Sequence, residues 1–266
     1  MNFSFIIINY RSLDYTRLCL NSLFNYLPQD QSWEIILIDN NSQDGSAETL
    51  KQEFTGRLKL IQNDSNRGFA GANNQGAKEA KGKYLFFLNS DTEIKDNILP
   101  GLYAVLEEKP EIGILAPRVL DPQGDWQFGA CGRQQTLKNL FLQNTKANWL
   151  DQKKETFWTS DWVSGAALII RRDLFEKIKA WDEKFFLYLE DTDLCLRARQ
   201  QKYLVAICPE TSLIHYGGKS PASNRQRRKN YYRSQNYFFK KHYGLISSLI
   251  MRLIRLPYKT IKLLKK

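Results

Sequence analysis

Short apolar runs alternate with helical patterns through the first half of the chain. The first run, Phe3–Ile8, is apolar at nearly every position, which is typical of a parallel strand covered on both faces. The segment that follows, Leu13–Tyr26, has its leucines at helical spacing. The alternation continues with predicted strands at Glu34–Ile38, Leu58–Gln62 and Tyr84–Leu88 and predicted helices at Ala47–Phe54, Ala70–Ala80 and Asn97–Glu108. This order predicts an α/β protein with a Rossmann-like, doubly wound, mostly parallel sheet.

The rhythm changes after Pro117. Residues 120–160 are rich in Gln, Asn, Gly and Trp without periodicity, and we expect them to form a loop-rich insertion. The pattern then resumes with predicted strands at Gly165–Ile170 and Leu204–Ile207 and predicted helices at Asp173–Ile178 and Thr192–Gln201. No linker-like composition precedes residue 217, so residues 1–220 are expected to form one domain with halves at 1–117 and 118–220.

Positive charge is concentrated at the C-terminal end. Residues 1–210 contain 25 Lys and Arg against 28 Asp and Glu, whereas residues 211–266 contain 14 Lys and Arg and no acid. A nucleic-acid-binding protein usually spreads basic residues over a folded face, so we expect no nucleic-acid partner. Residues 221–266 are instead expected to be a basic appendage to the domain.

The end of this basic segment is amphipathic. Counted at 100° per residue from Leu245, its Leu and Ile residues share one half-circle as far as Leu264, and its Lys and Arg residues occupy the other. Such a helix is typical of one that lies in an anionic membrane surface, with Pro257 as a kink. Packing of the helix on the domain core is the alternative.

Cysteine spacing and the first residues bear on the compartment. The four cysteines lack CxxC spacing, which favours buried free thiols in a reducing environment. Met1–Ser4 leads into the first strand without a basic or apolar leader, and no run reaches about 18 apolar residues. We therefore expect a cytoplasmic protein, peripheral at the inner face of the membrane.

Polar residues follow the strands at the edge where open α/β sheets bind ligands. Asp39 ends the second strand, where its carboxylate can accept hydrogen bonds from a ribose or a base. Asp44 and Ser46 are better explained as turn and helix-capping residues. Asp91 follows the fourth strand and is the candidate ligand for Mg²⁺, which is commonly held by one or two carboxylates plus substrate phosphates.

A glycine-rich segment, 66–76, joins the third strand to a helix and could let backbone approach a phosphate. Further along, Glu190 and Asp191 begin a helix after an aromatic stretch, which can desolvate a carboxylate and raise its pKa towards that of a useful base. His215 ends a strand, and the residues alone leave open whether it is structural or a ligand. His242, beside two lysines, is expected to be solvated.

These motifs, in this order, resemble the inverting family-2 glycosyltransferases. They are Ile-Ile-Asn-Tyr (7–10), Ile-Asp-Asn-Asn-Ser-Gln-Asp-Gly-Ser (38–46), Asn-Arg-Gly-Phe-Ala-Gly-Ala-Asn-Asn (66–74), Phe-Leu-Asn-Ser-Asp-Thr (87–92), Val-Ser-Gly-Ala (163–166) and Phe-Phe-Leu-Tyr-Leu-Glu-Asp-Thr-Asp-Leu-Cys-Leu-Arg (185–197). The resemblance covers residues 3 to about 220. It is closest to the rhamnosyltransferase-like members that build bacterial cell-surface polysaccharides.

The resemblance implies a GT-A fold, with residues 1–117 as the nucleotide-binding half and 118–220 as the acceptor and catalytic half. It implies that Asp191 is the catalytic base, with Glu190 beside it. Asp91 would be the metal-binding acid of a DxD motif and His215 a further metal or diphosphate contact, holding Mg²⁺ or Mn²⁺. The donor-binding residues that it implies are Asn9, Tyr10, Asp39, Asn66, Gly68, Asn73, Asn89 and Ser90.

The resemblance also implies the substrates. The donor would be dTDP-rhamnose or a UDP-sugar, and the acceptor a glycan or a lipid-linked sugar recognised by residues 120–160 and the basic segment. Asn89 stands where the family's motif has its first aspartate, which removes one anionic ligand. Alternative hypotheses are a nucleotidyltransferase, which would want further carboxylates around two metals, and a catalytically inactive protein that binds membrane surfaces.

Overall fold

The computed structural model of the chain describes residues 2–28, 32–141, 156–218 and 223–255. The strands in these residues are β1 (Phe3–Asn9), β2 (Trp33–Asp39), β3 (Lys59–Gln62), β4 (Tyr84–Asn89), β5 (Thr92–Glu93), β6 (Ile112–Leu120), β7 (Cys131–Gly132), β8 (Trp158–Ser160), β9 (Trp162–Val163), β10 (Ala167–Arg171) and β11 (Leu204–His215). The α-helices are α1 (Leu13–Tyr26), α2 (Ser46–Glu53), α3 (Gly68–Glu79), α4 (Leu99–Glu108), α5 (Leu137–Phe141), α6 (Arg172–Lys177), α7 (Glu190–Gln200) and α8 (Asn224–Ile254), and a 3₁₀ turn spans Phe128–Ala130.

One large sheet organises the described residues. Its strand order is β3-β2-β1-β4-β10-β6-β11-β5, with β8 paired to β11. The first four strands of this order run parallel, β10 lies antiparallel between β4 and β6, and β6 runs parallel to β11. The carboxyl ends of β1, β2, β4, β6 and β11 therefore share one edge, the carboxyl edge. The predicted doubly wound, mostly parallel sheet is confirmed.

Helices cover both faces of this sheet. Phe5 and Ile7 of β1 face one layer, whose helical side includes Leu20 of α1. Ile6, between them, faces the other layer, which includes Leu194 of α7. All five side chains are fully buried, as expected where successive residues of a strand point to opposite faces. The apolar runs in the sequence are nearly continuous because helices cover both faces of these strands.

Strand β6 was not predicted, and β11 is longer than predicted. The apolar pattern of Ile112–Leu120 is interrupted by Pro117, which cannot donate a hydrogen bond in a sheet. The structure accommodates this proline with a shift of register in β11 between Cys208 and Ser212, opposite Pro117 and Arg118. Strand β6 also crosses the expected boundary between the halves at residue 117, so the two halves share one sheet.

Helix α8 packs on the domain through its first part. Phe238 and Phe239 are fully buried in a cluster that also contains Phe185. The Ser234 hydroxyl donates to the backbone oxygen of Leu187 (2.8 Å). For residues 224–243 this corrects the expectation of an appendage, since aromatic side chains of α8 complete a third apolar cluster.

Helical geometry in α8 is interrupted at Gly244 (φ 84°, ψ 173°), and the chain then folds back. The Ser248 hydroxyl donates to the backbone oxygen of Asn236 (3.0 Å), and the Arg255 guanidinium bonds to the Asn236 side chain. The last part of α8 therefore lies along the first. No helix among the described residues is long and apolar enough to cross a bilayer.

Candidate active site

Two hydrogen bonds join the end of β4 to the start of α7. The backbone N–H of Asn89 donates to the backbone oxygen of Ala166 (2.9 Å), and the backbone N–H of Gly165 donates to Asp191 Oδ2 (3.1 Å). Gly165 and Ala166 are adjacent in the segment that precedes β10. The motif that carries Asp91 and the acidic pair at 190–191 thus meet at the carboxyl edge, although a hundred residues separate them in the sequence.

Asp191 is held by backbone amides in a tightly packed pocket. Its Oδ1 atom accepts a hydrogen bond from the Thr192 amide (2.7 Å), and its Oδ2 atom accepts the one from Gly165. Burial raises the pKa of Asp191, against these hydrogen bonds, which lower it. Gly165 fits because a Cβ there would lie 2.8 Å from the Phe69 ring. The result is an oriented carboxylate with an increased affinity for a proton.

Glu190 differs from its neighbour. Its side chain is buried, and its Oε2 atom has no hydrogen-bond partner among the described residues. Burial and then the nearby charge of Asp191 raise the pKa of Glu190 well above its usual range. The favoured arrangement of the pair is therefore a protonated Glu190 beside an ionised Asp191, because two adjacent carboxylates, one buried and one half-buried, resist double ionisation.

Backbone strain precedes the acidic pair. Tyr188 (φ 74°) and Leu189 (φ 68°) both adopt the left-handed conformation, which is costly for residues with a Cβ. Such strain clusters at functional sites. The loop is held by the start of α3, where the backbone N–H of Phe69 donates to the backbone oxygen of Phe186 (2.9 Å). Position 68 must be glycine for this approach, because a Cβ there would lie 2.6 Å from the same oxygen. The sequence carried no signal of this strain.

The candidate metal ligands Asp91 and His215 are brought together. His215 Nε2 lies 3.2 Å from Asp91 Oδ1 and 3.4 Å from Asn89 Nδ2. The other ring nitrogen, Nδ1, lies 3.0 Å from Gln127 Oε1. Sequence reasoning missed Gln127, which lies in the stretch without periodicity.

This arrangement fits a divalent cation. Asp91 and His215 are both half-buried and direct an oxygen and a nitrogen ligand toward the same point, while Asn89 contributes an amide in place of a second carboxylate. The chain supplies few ligands of its own, since no group of three or more His, Cys, Asp or Glu residues is arranged to hold a metal ion in the part of the chain that the structure describes. That number suits a cation completed by substrate phosphates and water.

Asp39 lies at the centre of a buried polar network at the ends of β1 and β2. Its Oδ1 atom accepts hydrogen bonds from the side chains of Asn9 (2.7 Å) and Ser42 (2.5 Å), and its Oδ2 atom accepts one from the Ser42 amide (3.0 Å). Asn9 also donates to Ser46 Oγ (2.7 Å). One acceptor position of Oδ2 remains for a ligand. The expected turn role of Asp44 is confirmed, because it accepts the Ser46 amide hydrogen.

The asparagines around the glycine-rich segment have different roles. Asn66 Oδ1 accepts hydrogen bonds from the Gly68 amide (2.8 Å) and from Asn40 Nδ2 (3.0 Å), so its side chain shapes the loop. Asn73 is buried in α3, and its Nδ2 atom has no partner among the described residues. A buried donor without a partner is costly, which makes Asn73 a candidate to donate to a ligand.

Two further predicted donor-binding residues, Tyr10 and Ser90, follow the ends of β1 and β4. Ser90 Oγ is 3.2 Å from Ser12 Oγ at the start of α1. Tyr10 is half-buried, with the Arg11 guanidinium 5.6 Å from its ring centroid. The predicted donor-binding residues therefore occupy the ends of β1, β2 and β4, the loop before α3 and α3 itself.

The expectation for His242 is wrong. Its side chain is 7% exposed, and its Nε2 atom lies 2.7 Å from Asp193 Oδ1 in the first turn of α7. The adjacent lysines indicated a solvated position, but Lys241 also turns inward and bonds to Asp193. The tertiary fold thus overrides the local signal of the two adjacent lysines.

Comparison with known proteins agrees with this geometry. The sequence profile described as Glycosyl transferase family 2 matches residues 4–179. The chain is 29% identical over 193 residues to the O-antigen biosynthesis protein RfbC of Myxococcus xanthus, covering 71% of this chain and 15% of that protein. It is 24% identical to the N-acetylglucosaminyl-diphospho-decaprenol L-rhamnosyltransferase of Mycobacterium tuberculosis, covering 74% and 72%. The low-salt glycan biosynthesis hexosyltransferase Agl10 of Haloferax volcanii is 25% identical, covering 98% and 81%.

Solved structures share the fold. GalNAc-T7, crystallised with UDP, GalNAc and Mn²⁺, superposes with a TM-score of 0.67 at 19% identity, covering 90% of this chain and 50% of that one. The mannosyltransferase PcManGT from Pyrobaculum calidifontis, crystallised with GDP-Man and Mn²⁺, gives 0.61 at 14% identity, covering 95% and 64%. The expected GT-A fold is confirmed.

Proposed function

The chain belongs to glycosyl transferase family 2, and on that premise we propose that it moves a sugar, with inversion, from a nucleoside-diphosphate donor to a hydroxyl of a glycan or lipid-linked acceptor in cell-surface polysaccharide synthesis. The observation that carries the proposal is that a candidate base and a candidate cation site lie at the same carboxyl edge of the sheet. Asp191, a carboxylate with a raised pKa in α7, accepts a hydrogen bond from Gly165, and the adjacent Ala166 is bonded to the end of β4. Asp91, which follows β4, faces His215. A base and a diphosphate site on one edge are what this transfer needs.

Asp191 acts as the base. The acceptor hydroxyl donates its proton to the carboxylate as its oxygen attacks the anomeric carbon, and the bond from that carbon to the diphosphate breaks. Because the attack comes from the face opposite the leaving group, the configuration inverts. The amides of Gly165 and Thr192 hold the carboxylate in place, so its orientation does not depend on a mobile side chain. Glu190, protonated, leaves the negative charge of the pair on Asp191.

Asp91 and His215 are the residues that would hold a divalent cation, Mg²⁺ or Mn²⁺. When bound, the cation neutralises charge on the departing nucleoside diphosphate. Asn89 contacts the same site as a neutral ligand or hydrogen-bond donor. With one carboxylate at the site, we expect the protein to bind the cation weakly alone and more tightly together with the diphosphate.

The donor nucleotide lies across the ends of β1 and β2. Asp39 accepts from the base or the ribose, Tyr10 packs beside it, and Asn73 uses its unpartnered Nδ2 atom. dTDP-rhamnose is the first candidate donor and UDP-hexoses are the next. This choice is supported by relatives described as an L-rhamnosyltransferase, a dTDP-rhamnosyl transferase and a hexosyltransferase.

The protein also binds an anionic membrane surface from the inner, cytoplasmic side. After Gly244, an apolar stripe faces solvent, with Ile246 75% and Leu253 63% exposed. The inward face of the same segment is polar at Ser248 and Arg255, which bond to Asn236. A stripe of this kind, in a C-terminal region with 14 basic residues and no acid, suits a surface that is apolar inside and anionic outside. This docking would bring the active site near a lipid-linked acceptor.

A panel of nucleotide sugars, each with and without Mn²⁺, tests the transfer activity. The readout is release of nucleoside diphosphate, followed by analysis of the anomeric configuration of the product. We expect one dTDP- or UDP-sugar to be turned over in a cation-dependent manner. Release of pyrophosphate rather than nucleoside diphosphate would instead identify a nucleotidyltransferase, and binding without turnover of any donor would contradict the enzymatic proposal.

A further inference from the structure

Gln127 makes two hydrogen bonds to the same histidine. Its Nε2 atom donates to the backbone oxygen of His215 (2.5 Å), and its Oε1 atom lies 3.0 Å from His215 Nδ1. The backbone N–H of Gln127 donates to the backbone oxygen of Val119 (2.9 Å), and this bond anchors the residue beside the end of β6. A side chain from the segment after β6 therefore reaches the candidate cation site.

The chemistry of these two bonds fixes where the imidazole carries its hydrogen. A backbone carbonyl oxygen can only accept a hydrogen bond, so the NH₂ group of Gln127 must face the carbonyl of His215. The amide oxygen of Gln127 must then face Nδ1. Because an amide oxygen also only accepts, Nδ1 must carry the hydrogen. In the neutral ring, Nε2 then presents a lone pair.

This lone pair faces the carboxylate of Asp91 and the side-chain NH₂ group of Asn89, whose Nδ2 atom lies 3.4 Å from Nε2. His215 Nε2 and Asp91 Oδ1 are 3.2 Å apart, and neither supplies a hydrogen when the ring is neutral with its hydrogen on Nδ1. Two facing electron-pair donors favour a cation between them. With the hydrogen on Nε2 instead, the ring would donate to Asp91 and would occupy the nitrogen needed for ligation.

We propose that Gln127 is a positioning residue, which holds His215 in the Nδ1–H tautomer and so keeps Nε2 available to the cation. The inference rests on the cation site of the proposed function. Partners of this kind orient metal-ligating histidines through the second ring nitrogen, and their loss typically lowers metal affinity about 10–100-fold. The segment after β6 would then act on the diphosphate site through one side chain.

Nitrogen-15 NMR of the metal-free protein tests the tautomer directly. The chain has two histidines, and His242 serves as an internal reference, because its Nε2 atom must carry a hydrogen to bond to Asp193. With both rings neutral, we expect His215 to carry its hydrogen on Nδ1 in the parent protein. Gln127→Leu should shift it toward Nε2. A parent protein with the hydrogen on Nε2 of His215, or a variant that retains it on Nδ1, overturns the proposal.

Cation binding provides the second readout. Calorimetry with Mn²⁺ in the presence of UDP or dTDP should show affinity about 10–100-fold lower in Gln127→Leu, while Gln123→Leu, an exposed position in the same segment, keeps the parent affinity. Gln127→Met, similar in length, replaces the leucine variant if that one unfolds early. A tautomer shift with unchanged affinity would overturn the link to the cation. His215→Ala separates the two ideas, since unchanged Mn²⁺ affinity there removes the cation site itself, whatever the tautomer.

Discussion

His242 Nε2 lies 2.7 Å from Asp193 Oδ1, so the C-terminal helix is bonded to the first turn of the helix that begins with Glu190 and Asp191. Asp193 is fully buried and also pairs with Arg197 (2.8 Å) and Lys241 (2.6 Å). Burial acts to raise the pKa of Asp193, but His242, Arg197 and Lys241 outweigh it and hold the pKa below its usual range. The position of α7, and with it that of Asp191, therefore depends on α8.

Asp193→Ala should destabilise the protein by about 3–5 kcal/mol, because it removes the fully buried carboxylate that pairs with the largely buried side chains of Arg197 and His242. Chemical denaturation measures the loss. Because the pKa of Asp193 is lowered in the folded state, this contribution is present above the ordinary aspartate pKa of about 3.9 and is lost as pH falls through the lowered value. Asp14→Ala removes an exposed ion pair with Arg17 and should change little. An equal loss of stability in the two variants would contradict a stabilising role for the buried network around Asp193.

Asp191→Asn should reduce kcat on the order of 10²–10⁴-fold while leaving donor binding nearly intact, since an amide keeps the shape but cannot take a proton. Steady-state kinetics and donor calorimetry separate the two effects. In the parent protein, kcat/KM should fall as pH decreases through a value above the ordinary aspartate pKa of about 3.9, because the pKa of Asp191 is raised. If Asp191→Asn turns over normally and Glu190→Gln does not, the base is Glu190.

Glu190→Gln should make stability less dependent on pH. The pKa of Glu190 is raised well above its usual range, so the folded state holds a proton that the unfolded chain loses near pH 4.3. The parent protein therefore loses stability as pH rises from that value to the raised one. Thermal unfolding at a series of pH values should show that the stability of the variant, relative to that of the parent, increases as the pH rises. A parallel pH dependence of the two proteins would mean that Glu190 is ionised when folded.

Asp91→Ala should weaken binding of a nucleoside diphosphate and remove its dependence on the cation, because Asp91 would supply the one carboxylate that holds the cation against the diphosphate charge. Calorimetry with UDP and dTDP, with and without Mn²⁺, measures both. His215→Ala should act in the same direction but more mildly, since the carboxylate and its charge remain. Equal affinity of Asp91→Ala and parent in the presence of Mn²⁺ would return Asp91 to the role of a turn residue.

The sequence predicted those parts of the fold and site that depend on local patterns. β1, β2 and β4 are continuous apolar runs because both of their faces are covered, and their polar ends mark the carboxyl edge. Asp39, Asp91 and Asp191 follow such boundaries or an aromatic stretch, and these positions made them visible as candidates. Strand β6 was missed because Pro117 interrupts the pattern, and only the register shift in the partner strand shows how it is tolerated.

The missed residues act across long sequence separations. Gln127 lies in a Gln- and Asn-rich stretch, and its importance comes from an imidazole 88 residues away. His242 lies among lysines, and its partner is 49 residues away. Polar residues at such positions look solvated until the tertiary structure brings their partners to them. The strain at Tyr188 and Leu189 was invisible for a related reason, because it is imposed by packing on both sides of the loop rather than by residue type.

The apolar stripe after Gly244 gives the last prediction. Ile246→Glu combined with Leu253→Glu should reduce binding to anionic vesicles on the order of 100-fold or more, because burying one such side chain contributes about 1.5–3 kcal/mol and the new charges oppose anionic lipid. Vesicle co-sedimentation measures the loss. Because both side chains face solvent, the variant should unfold at the temperature of the parent. Gln52→Glu combined with Gln123→Glu, at exposed positions elsewhere, is the matched control for added charge.

Two further measurements test the membrane proposal, namely the salt dependence of vesicle binding and the activity on membrane-embedded and soluble acceptors. Binding of the parent protein should weaken with salt, since the Debye length falls from about 10 Å at 0.1 M to about 3 Å at 1 M, whereas residual binding of the stripe variant should be almost entirely salt-sensitive. Transfer to a membrane-embedded acceptor should fall further in the variant than transfer to a soluble mimic, because the active site itself is unchanged. If the variant sediments with vesicles like the parent but elutes as a smaller species in size-exclusion chromatography, the stripe joins two copies of the chain, and the membrane proposal is wrong.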